Sequence, residues 1–459
     1  MLPGMRRSAG VALLAACVVL LSGCVRIIEG LPTSLQPPVS PVPEGEVRIV
    51  GATDEPIDQL ARNALADLQD FWTQQFPGVF GEPFQPLRGG VFSVDPDDVD
   101  PSIYPNGVSC GSNPLDVENN AFYCQAQDEP NSDSISYDRA FLTELAEQFG
   151  EFIPDLVMAH EFGHAVQGRV GYPPASILAE TQADCFAGAW TAWVADGQAE
   201  HTTVREPELD EVLRGYVQLR DPVGTSLNEE SAHGSYFDRV SAFQEGFVDG
   251  VPACRDNFGT DRVLTQQRFS DADIALGATG NAPPDQLPAI IEDSLPPFWE
   301  AVVSSSGGEF EPPSIESLGG PPPSCAEDKL DYCEDENVVA IDGAGFGQDA
   351  YDIGDFALIT AIAIPYALDA RDQLGLSTDD TEAIQSAVCS TGAYGRAVFD
   401  GEFADKVTIS PGDIDEGVIF LLSYGNDPEV IPEAGLTGFQ LVDVFRNGFT
   451  RGVEACGLG

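Results

Sequence analysis

His160-Glu161-Phe162-Gly163-His164 decides the fold class of this chain, because it fits the H-E-x-x-H pattern of a helical zinc site. On a helix the two His lie at i and i+4 and share one face, so both imidazoles can reach one Zn²⁺ ion. The Glu between them is placed to take a proton from a water that the metal activates. Pro154 in the first turn and Gly171 after the last turn predict a helix around the motif.

A third ligand is needed, and its type separates the classes of zinc hydrolase. The metzincin continuation would need Gly and His where the chain has Gln167 and Val170, which excludes that class. Glu180 and Asp184 follow in an apolar helical stretch, at i and i+4 on one face. Glu180 can complete a His₂Glu site, and Asp184 can accept the outer N–H of a ligand His. The alternative is a solvated acidic face, which the apolar surroundings of the pair disfavour.

Three segments together resemble a bacterial family of neutral zinc metallopeptidases. They are His160-Glu161-Phe162-Gly163-His164-Ala165-Val166-Gln167, Glu180-Thr181-Gln182-Ala183-Asp184-Cys185-Phe186-Ala187-Gly188, and His233-Gly234 with Arg239-Val240 and Phe243. Residues 121–124 and 134–138 also resemble the strand pair before the zinc helix of that family. The resemblance covers roughly residues 100–255 and implies a gluzincin-like fold. Its implied site has His160, His164 and Glu180 as zinc ligands, Glu161 as catalytic base and Asp184 as the partner of a ligand His.

His233 is a further catalytic candidate in the stretch that follows the third ligand. It could donate to the oxyanion of a tetrahedral intermediate, as a His does in related gluzincins. Tyr236 is a weaker candidate for the same role. A helix-capping or buried structural His is an equally good interpretation, so both stay open.

The cysteines indicate export and a tandem repeat. Ser235–Cys254 aligns on Thr437–Cys456 without a gap and with nine identities in twenty positions. At a nearby offset Cys185–Gly197 aligns on Cys389–Gly401. We therefore expect a duplication of residues 47–255 as residues 265–456.

Each copy contains four cysteines in the same order. The simplest pairing that serves both copies joins the first cysteine of a copy with its second, and the third with the fourth. It gives the disulfides Cys110–Cys124, Cys185–Cys254, Cys325–Cys333 and Cys389–Cys456.

The second copy is expected to lack the metal. At an offset of 204, the positions of His160, Glu161, His164, Glu180 and Asp184 correspond to Ile364, Pro365, Leu368, Ile384 and Val388. None of these side chains can coordinate zinc, and no His occurs after His233. We expect the hydrocarbon side chains to fill the space of the lost site.

The first residues resemble a bacterial lipoprotein signal. Two Arg precede a short apolar run, Val11–Leu21, which ends in Leu21-Ser22-Gly23-Cys24. Lipidation of Cys24 would anchor the mature protein on the outer side of the cell membrane, with residues 25–46 as a Pro-rich tether. An ordinary signal peptide with an incidental Cys is the alternative.

Charge narrows the range of partners. The formal net charge of −54 excludes a nucleic-acid partner, because such a surface repels phosphate and no Lys/Arg-rich run interrupts it. It would favour cationic peptides over acidic ones. An extended peptide substrate could add to an edge strand near Ser134–Tyr137.

We therefore expect an α+β protein. Its parts are a signal peptide (1–23), an anchor and tether (24–46), a mainly helical, zincin-like peptidase domain with a small antiparallel sheet (47–255), a linker (256–264) and a degenerate copy (265–459). The predicted activity is hydrolysis of peptide bonds with one Zn²⁺ per chain and Glu161 as general base. A non-catalytic zinc-binding scaffold lipoprotein and an amidase acting on cell-wall peptide are the alternatives.

Overall fold

The computed structural model describes residues 40–276, 280–316, 324–326, 328–432 and 435–458. The predicted signal peptide, Cys24 and most of the predicted tether lie outside the described residues. Within them the protein is mainly helical with two small sheets, which confirms the α+β class. Among the described helices, none is both long enough and apolar enough to cross a bilayer.

The elements fall into a first half before residue 257 and a second half after residue 280, with one short helix between them. The strands are β1 (Ile49–Val50), β2 (Gly90–Val94), β3 (Ala121–Cys124), β4 (Ser134–Asp138), β5 (Ser314–Glu316), β6 (Leu330–Cys333) and β7 (Val338–Ile341). The helices of the first half are α1 (Pro56–Phe80), α2 (Arg139–Phe149), α3 (Phe152–Val170), α4 (Ser176–Ala195), α5 (Glu206–Leu219) and α6 (Tyr236–Asp256). After α7 (Asp271–Leu276) follow α8 (Leu287–Ser305), α9 (Phe346–Ile353), α10 (Asp355–Gln373), α11 (Thr381–Phe399), α12 (Asp413–Tyr424) and α13 (Gly438–Arg451).

The sheet of the first half is mixed, so the predicted antiparallel sheet is wrong. Its strand order is β1-β2-β4-β3, in which β1, β2 and β4 run parallel and only β3 is antiparallel. The parallel pairs arise because long connections, α1 among them, separate their strands. β4 lies inside the sheet, so the peptide-binding edge predicted at Ser134–Tyr137 is wrong as well. The edge strand at that side is β3.

Two glycines set the closest helix packing of the first half. A Cβ at Gly188 of α4 would overlap the carbonyl oxygen of Phe243 in α6. A Cβ at Gly246 of α6 would overlap the carbonyl oxygen of Cys185 in α4. The two backbones can therefore cross this closely only without side chains at these positions. The Cys185–Cys254 disulfide joins the same two helices.

The second half repeats the order and pairing of most elements, without a counterpart of β1 among the described residues. β5 runs parallel to β7 and β6 antiparallel to it, as β2 and β3 do with β4. Gly392 of α11 and Gly448 of α13 face the carbonyl oxygens of Phe445 and Cys389, again without room for a Cβ. All four predicted disulfides are present, namely Cys110–Cys124, Cys185–Cys254, Cys325–Cys333 and Cys389–Cys456.

The halves pack through a reciprocal contact. Asp415 of α12 accepts hydrogen bonds from the backbone N–H groups of Tyr236 and Phe237, at the start of α6. Asp210 of α5 accepts the corresponding bonds from Gly438 and Phe439, at the start of α13. Each half thus supplies the carboxylate that caps a helix of the other half.

Aromatic rings repeat this reciprocity beside the caps. The Phe237 and Phe449 ring centroids lie 4.7 Å apart, and those of Phe247 and Phe439 lie 5.0 Å apart. In the alignment above, each of these pairs is the counterpart of the other. One continuous core of buried apolar residues runs through both halves. The contact therefore resembles the isologous interface of a symmetric dimer, made within one chain.

Candidate metal centre

α3 and α4 bring three candidate ligands together. Their close approach requires Gly163, because a Cβ there would lie 2.9 Å from the Cα of Ala183. His160 Nε2 lies 3.2 Å from His164 Nε2 and 3.2 Å from Glu180 Oε2. His164 Nε2 lies 3.5 Å from Glu180 Oε1. We call His160, His164 and Glu180 the zinc trio.

The geometry and chemistry of the zinc trio fit one Zn²⁺ ion. Three atoms bound tetrahedrally at about 2.0–2.1 Å from zinc lie about 3.3 Å from one another. The distances within the trio are 3.2 to 3.5 Å. Two imidazoles and a carboxylate are also the donor set of a catalytic rather than a structural zinc site, since they leave a fourth position open.

Both His of the zinc trio are oriented through the other ring nitrogen. His160 Nδ1 lies 2.8 Å from Asp184 Oδ1, and His164 Nδ1 lies 2.9 Å from Gln167 Oε1. With the proton on Nδ1, each Nε2 presents its lone pair toward the shared point. Asp184 thus contacts a ligand His, as the sequence predicts. The sequence analysis used Gln167 only to exclude the metzincin class and did not predict its contact with His164.

Arg239 is a site residue to which the sequence argument assigned no role. Its Nε and Nη2 each lie 2.8 Å from an oxygen of Asp184, and both side chains are almost fully buried. Burial alone would raise the pKa of Asp184, but Arg239 and His160 lower it below its usual range. The carboxylate therefore stays charged and can hold the His160 N–H. A carboxylate in an apolar helix needs a partner, and that need was the signal that could have found Arg239.

Glu161 lies beside the zinc trio and is held by the sheet edge. Its Oε2 accepts a 2.7 Å hydrogen bond from the backbone N–H of Tyr123 in β3. The residue is 6% exposed. Burial raises the pKa of Glu161, although His160 and His164 act in the opposite direction. A carboxyl with a raised pKa is better matched to accepting and returning a proton near neutral pH.

The site lies in a cleft of about 720 Å³. β3, the zinc trio, Glu161 and His233 line it. His233 Nδ1 lies 3.1 Å from Asp221 Oδ1, so the ring is tethered on the cleft wall. Tyr236 is wrong as a candidate: it is fully buried, and its hydroxyl donates to the Leu213 carbonyl. Its position in the first turn of α6 directs it into the core.

A different tyrosine lines the cleft. Tyr172, in the loop after α3, lies with its hydroxyl 3.3 Å from the backbone oxygen of His164. The residue is 52% exposed, and partial burial raises the pKa of Tyr172 above its usual value, so the hydroxyl stays protonated at neutral pH. The sequence argument used its neighbour Gly171 only as a signal for the helix end.

Hydrocarbon occupies the corresponding positions of the second half. Ile364 and Leu368 of α10 and Ile384 of α11, here called the hydrocarbon trio, are all less than a tenth exposed. They line a cavity of about 280 Å³, together with the edge strand β6. Hydrocarbon side chains thus lie at the lost ligand positions, as predicted, and the cavity beside them is smaller than the cleft of about 720 Å³ in the first half.

The buried ion pair also has an apolar counterpart. In the alignments above, Asp184 corresponds to Val388 and Arg239 to Leu441. Both Val388 and Leu441 are fully buried. Replacing both members of a buried ion pair leaves no unpaired charge, so the helix packing can be kept without the metal site.

Comparison with known proteins supports the zinc site. A sequence profile described as "Putative neutral zinc metallopeptidase" matches residues 6–258, more than half of the chain. The chain belongs to this family. The matched segment holds the zinc trio, Glu161 and Arg239, and it ends where the first half ends.

Two similar proteins are described as uncharacterized. The uncharacterized protein YpfJ of Escherichia coli K12 is 25% identical over 284 residues, which cover 56% of this chain and 90% of that protein. The uncharacterized protein Rv2575 of Mycobacterium tuberculosis H37Rv is 28% identical over 183 residues, covering 34% of this chain and 61% of its own length. No solved structure matches the chain.

Proposed function

We propose that this family member is a zinc metallopeptidase that hydrolyses peptide bonds on the outer side of the cell membrane. The observation that carries the proposal is the convergence of the zinc trio on one point beside the buried carboxylate of Glu161. Bound zinc would polarise the scissile carbonyl and lower the pKa of the attacking water. His160, His164 and Glu180 are the proposed ligands.

The other residues of the cleft have distinct proposed roles. Glu161 takes the proton of the attacking water and returns it to the leaving amine. Asp184 and Gln167 keep the imidazoles oriented, and Arg239 keeps Asp184 charged. His233 is proposed to donate to the developing oxyanion, because its ring lies on the cleft wall.

A peptide substrate is proposed to lie along β3. This edge strand lines the cleft, and the outward carbonyl oxygens of Ala121 and Tyr123 can accept hydrogen bonds from an extended chain. The Tyr123 N–H that points out of the strand already donates to Glu161. An extended substrate beside β3 would therefore pass directly over the proposed general base.

Membrane attachment and the tandem repeat are part of the same proposal. Lipidation of Cys24 would hold the protein outside the cell, where the four disulfides are stable. The similar order of elements, the paired glycines and the reciprocal caps support a tandem duplication, in which residues 265–459 lost metal and catalysis.

The test is a peptide library digested with purified, zinc-loaded protein and read by mass spectrometry. The library contains cationic, neutral and acidic peptides together with cell-wall stem peptides. We expect cleavage by the wild type and a loss of at least about a hundredfold in Glu161→Gln, with zinc retained. Glu147→Gln, on the exposed surface of α2, is the matched control and should cleave normally.

Three other outcomes would either favour an alternative function or contradict the role of Glu161. Cleavage restricted to cell-wall peptides would favour the amidase. No cleavage by a zinc-loaded wild type would favour the non-catalytic scaffold. Equal cleavage by wild type and Glu161→Gln would contradict the assigned general base.

A further inference from the structure

Three carboxylates meet in the second half, away from the positions of the zinc site. Asp355 is the first residue of α10, Asp413 is the first residue of α12, and Glu416 lies one turn further along α12. Each offers an oxygen, and these oxygens lie within 4.8 Å of one another. We call them the carboxylate cluster.

One oxygen of each carboxylate is held by the backbone. Asp355 Oδ2 accepts from the Ala282 N–H, Asp413 Oδ2 from Ser410 and Glu416 Oε2 from Phe356, each at 2.8 Å. The remaining Oδ1 atoms of Asp355 and Asp413 are buried and receive no hydrogen bond from an N–H or hydroxyl group of the described residues, although the Asp355 and Glu416 carboxyls lie close enough to share a proton. Both residues are only 5% exposed. Buried oxygens without partners are uncommon in folded proteins and call for a ligand.

The charge of the carboxylate cluster is not balanced by the protein. In the part of the chain that the structure describes, no ion pair joins any of the three to a Lys or Arg. Burial together with the neighbouring carboxylates raises the pKa of Glu416 to about 10 and that of Asp413 well above its usual range. Three carboxylates this close need protons or a cation.

A glycine makes room for the carboxylate cluster. A Cβ at Gly354, just before α10, would overlap the carboxylate of Glu416. Gly150, the residue 204 positions earlier, has nothing within 4 Å of its would-be Cβ. Glu211, which corresponds to Glu416 when Asp210 is matched with Asp415, instead forms an ion pair with Arg214. The carboxylate cluster is therefore a feature of the second half and no remnant of the zinc site.

We propose that Asp355, Asp413 and Glu416 bind one Ca²⁺ ion. An all-oxygen donor set with anionic charge selects a hard cation over zinc, and calcium tolerates the irregular geometry and added waters that such a set imposes. The free Oδ1 atoms of Asp355 and Asp413 and the Glu416 carboxylate are the ligands. The ion would fix the first turn of α12, which also carries Asp415, the cap of α6. Calcium would thereby strengthen the contact between the halves.

The test is calcium binding by purified, zinc-loaded protein. The protein is dialysed against calcium at concentrations up to about 10 mM, above the range of extracellular calcium modules. Elemental analysis should find one calcium in addition to the zinc, and the melting temperature should rise with calcium concentration. Glu416→Gln and Asp413→Asn should weaken binding at least tenfold. Glu402→Gln, an exposed carboxylate of the same half, is the control for loose binding to the acidic surface.

Three results would overturn the proposal. One is a wild type that binds no calcium, which would mean that the carboxylates share protons instead. Another is equal binding by wild type, Glu416→Gln and Asp413→Asn, which would place the ion on the outer surface. The third is a wild-type melting temperature that does not respond to calcium, which would contradict an ion bound at a structural position. This result can be obtained even if the variants do not fold.

Discussion

α3 and α4 of the first half carry the zinc trio to one point, whereas α10 and α11 of the second half carry the hydrocarbon trio to the corresponding place. The frame around the two places is the same: a mixed sheet, a long-range disulfide and two helices that cross at glycines. The same frame thus surrounds a set of metal ligands in one half and a set of hydrocarbon side chains in the other. Helix crossing and disulfides hold the fold, and a few side chains decide whether it has a metal site.

The largest expected difference between the halves is in zinc content. The double variant His160→Ala/His164→Ala should lose the metal, because one carboxylate alone cannot hold zinc. The matched variant Ile364→Ala/Leu368→Ala should keep about one zinc per chain. Elemental analysis of the purified proteins measures both. Zinc retained by the first variant, or lost from the second, would reverse the assignment of the two halves.

The buried ion pair gives the next largest effect. Arg239→Leu alone should reduce the free energy of unfolding by about 3–5 kcal/mol, because it leaves Asp184 charged and unpaired in the core. Adding Asp184→Val copies the second half and should restore much of that stability. Urea denaturation measures both variants.

The Arg239→Leu/Asp184→Val double variant should still bind zinc. Its affinity should be about 10–100-fold weaker than that of the wild type, because His160 loses its orienting partner. A double variant no more stable than Arg239→Leu would show that the Val388 and Leu441 arrangement cannot be transferred.

The helix crossings should respond alike in both halves. Gly246→Ala and Gly448→Ala should each lower stability by about 1–3 kcal/mol, since the new methyl group would overlap a backbone carbonyl. Gly78→Ala in α1 is the control, because nothing lies within 4 Å of its would-be Cβ. It should be neutral or stabilising. Equal effects at all three glycines would contradict the close crossings.

The smallest effect tests the reciprocal caps. Asp210→Ala and Asp415→Ala should each cost about 0.5–2 kcal/mol, the usual range for loss of a helix cap. Thermal unfolding should show a shift in both variants, because each carboxylate holds two N–H groups of the other half, and the larger shift in Asp415→Ala, because Asp415 also forms an ion pair with Arg220. A shift in only one variant would mean that the contact is not reciprocal.

The sequence predicts the zinc trio, Glu161, Asp184 and the disulfides because their signals are local spacings or a repeat. It does not reveal Arg239 as the partner of Asp184, because the two are 55 residues apart and meet only when α4 and α6 cross. The prediction of an antiparallel sheet was wrong for a similar reason. A hydrophobic pattern indicates that a strand exists but carries little information about which strands lie beside it.

The carboxylate cluster was missed because acidic residues are everywhere in a chain with 75 of them. Spacing distinguishes two His in a helix from chance, but it cannot distinguish three carboxylates brought together from separate helices. Their burial, and the absence of hydrogen-bond partners for two of their oxygens among the described residues, distinguish them from other acidic residues. Both are properties of the folded chain.

The reciprocal caps have a consequence for the order in which the protein is made. A polypeptide is synthesised from its N-terminus, so all residues of the zinc site are present once α6 has been completed. The cap of α6, Asp415, belongs to a helix that is synthesised much later. Until then the N–H groups of Tyr236 and Phe237, in the first turn of α6, can donate only to water, and the Phe237 ring lacks its contact with Phe449. We therefore expect the first turn of α6 to take its final place only after α12 has been made.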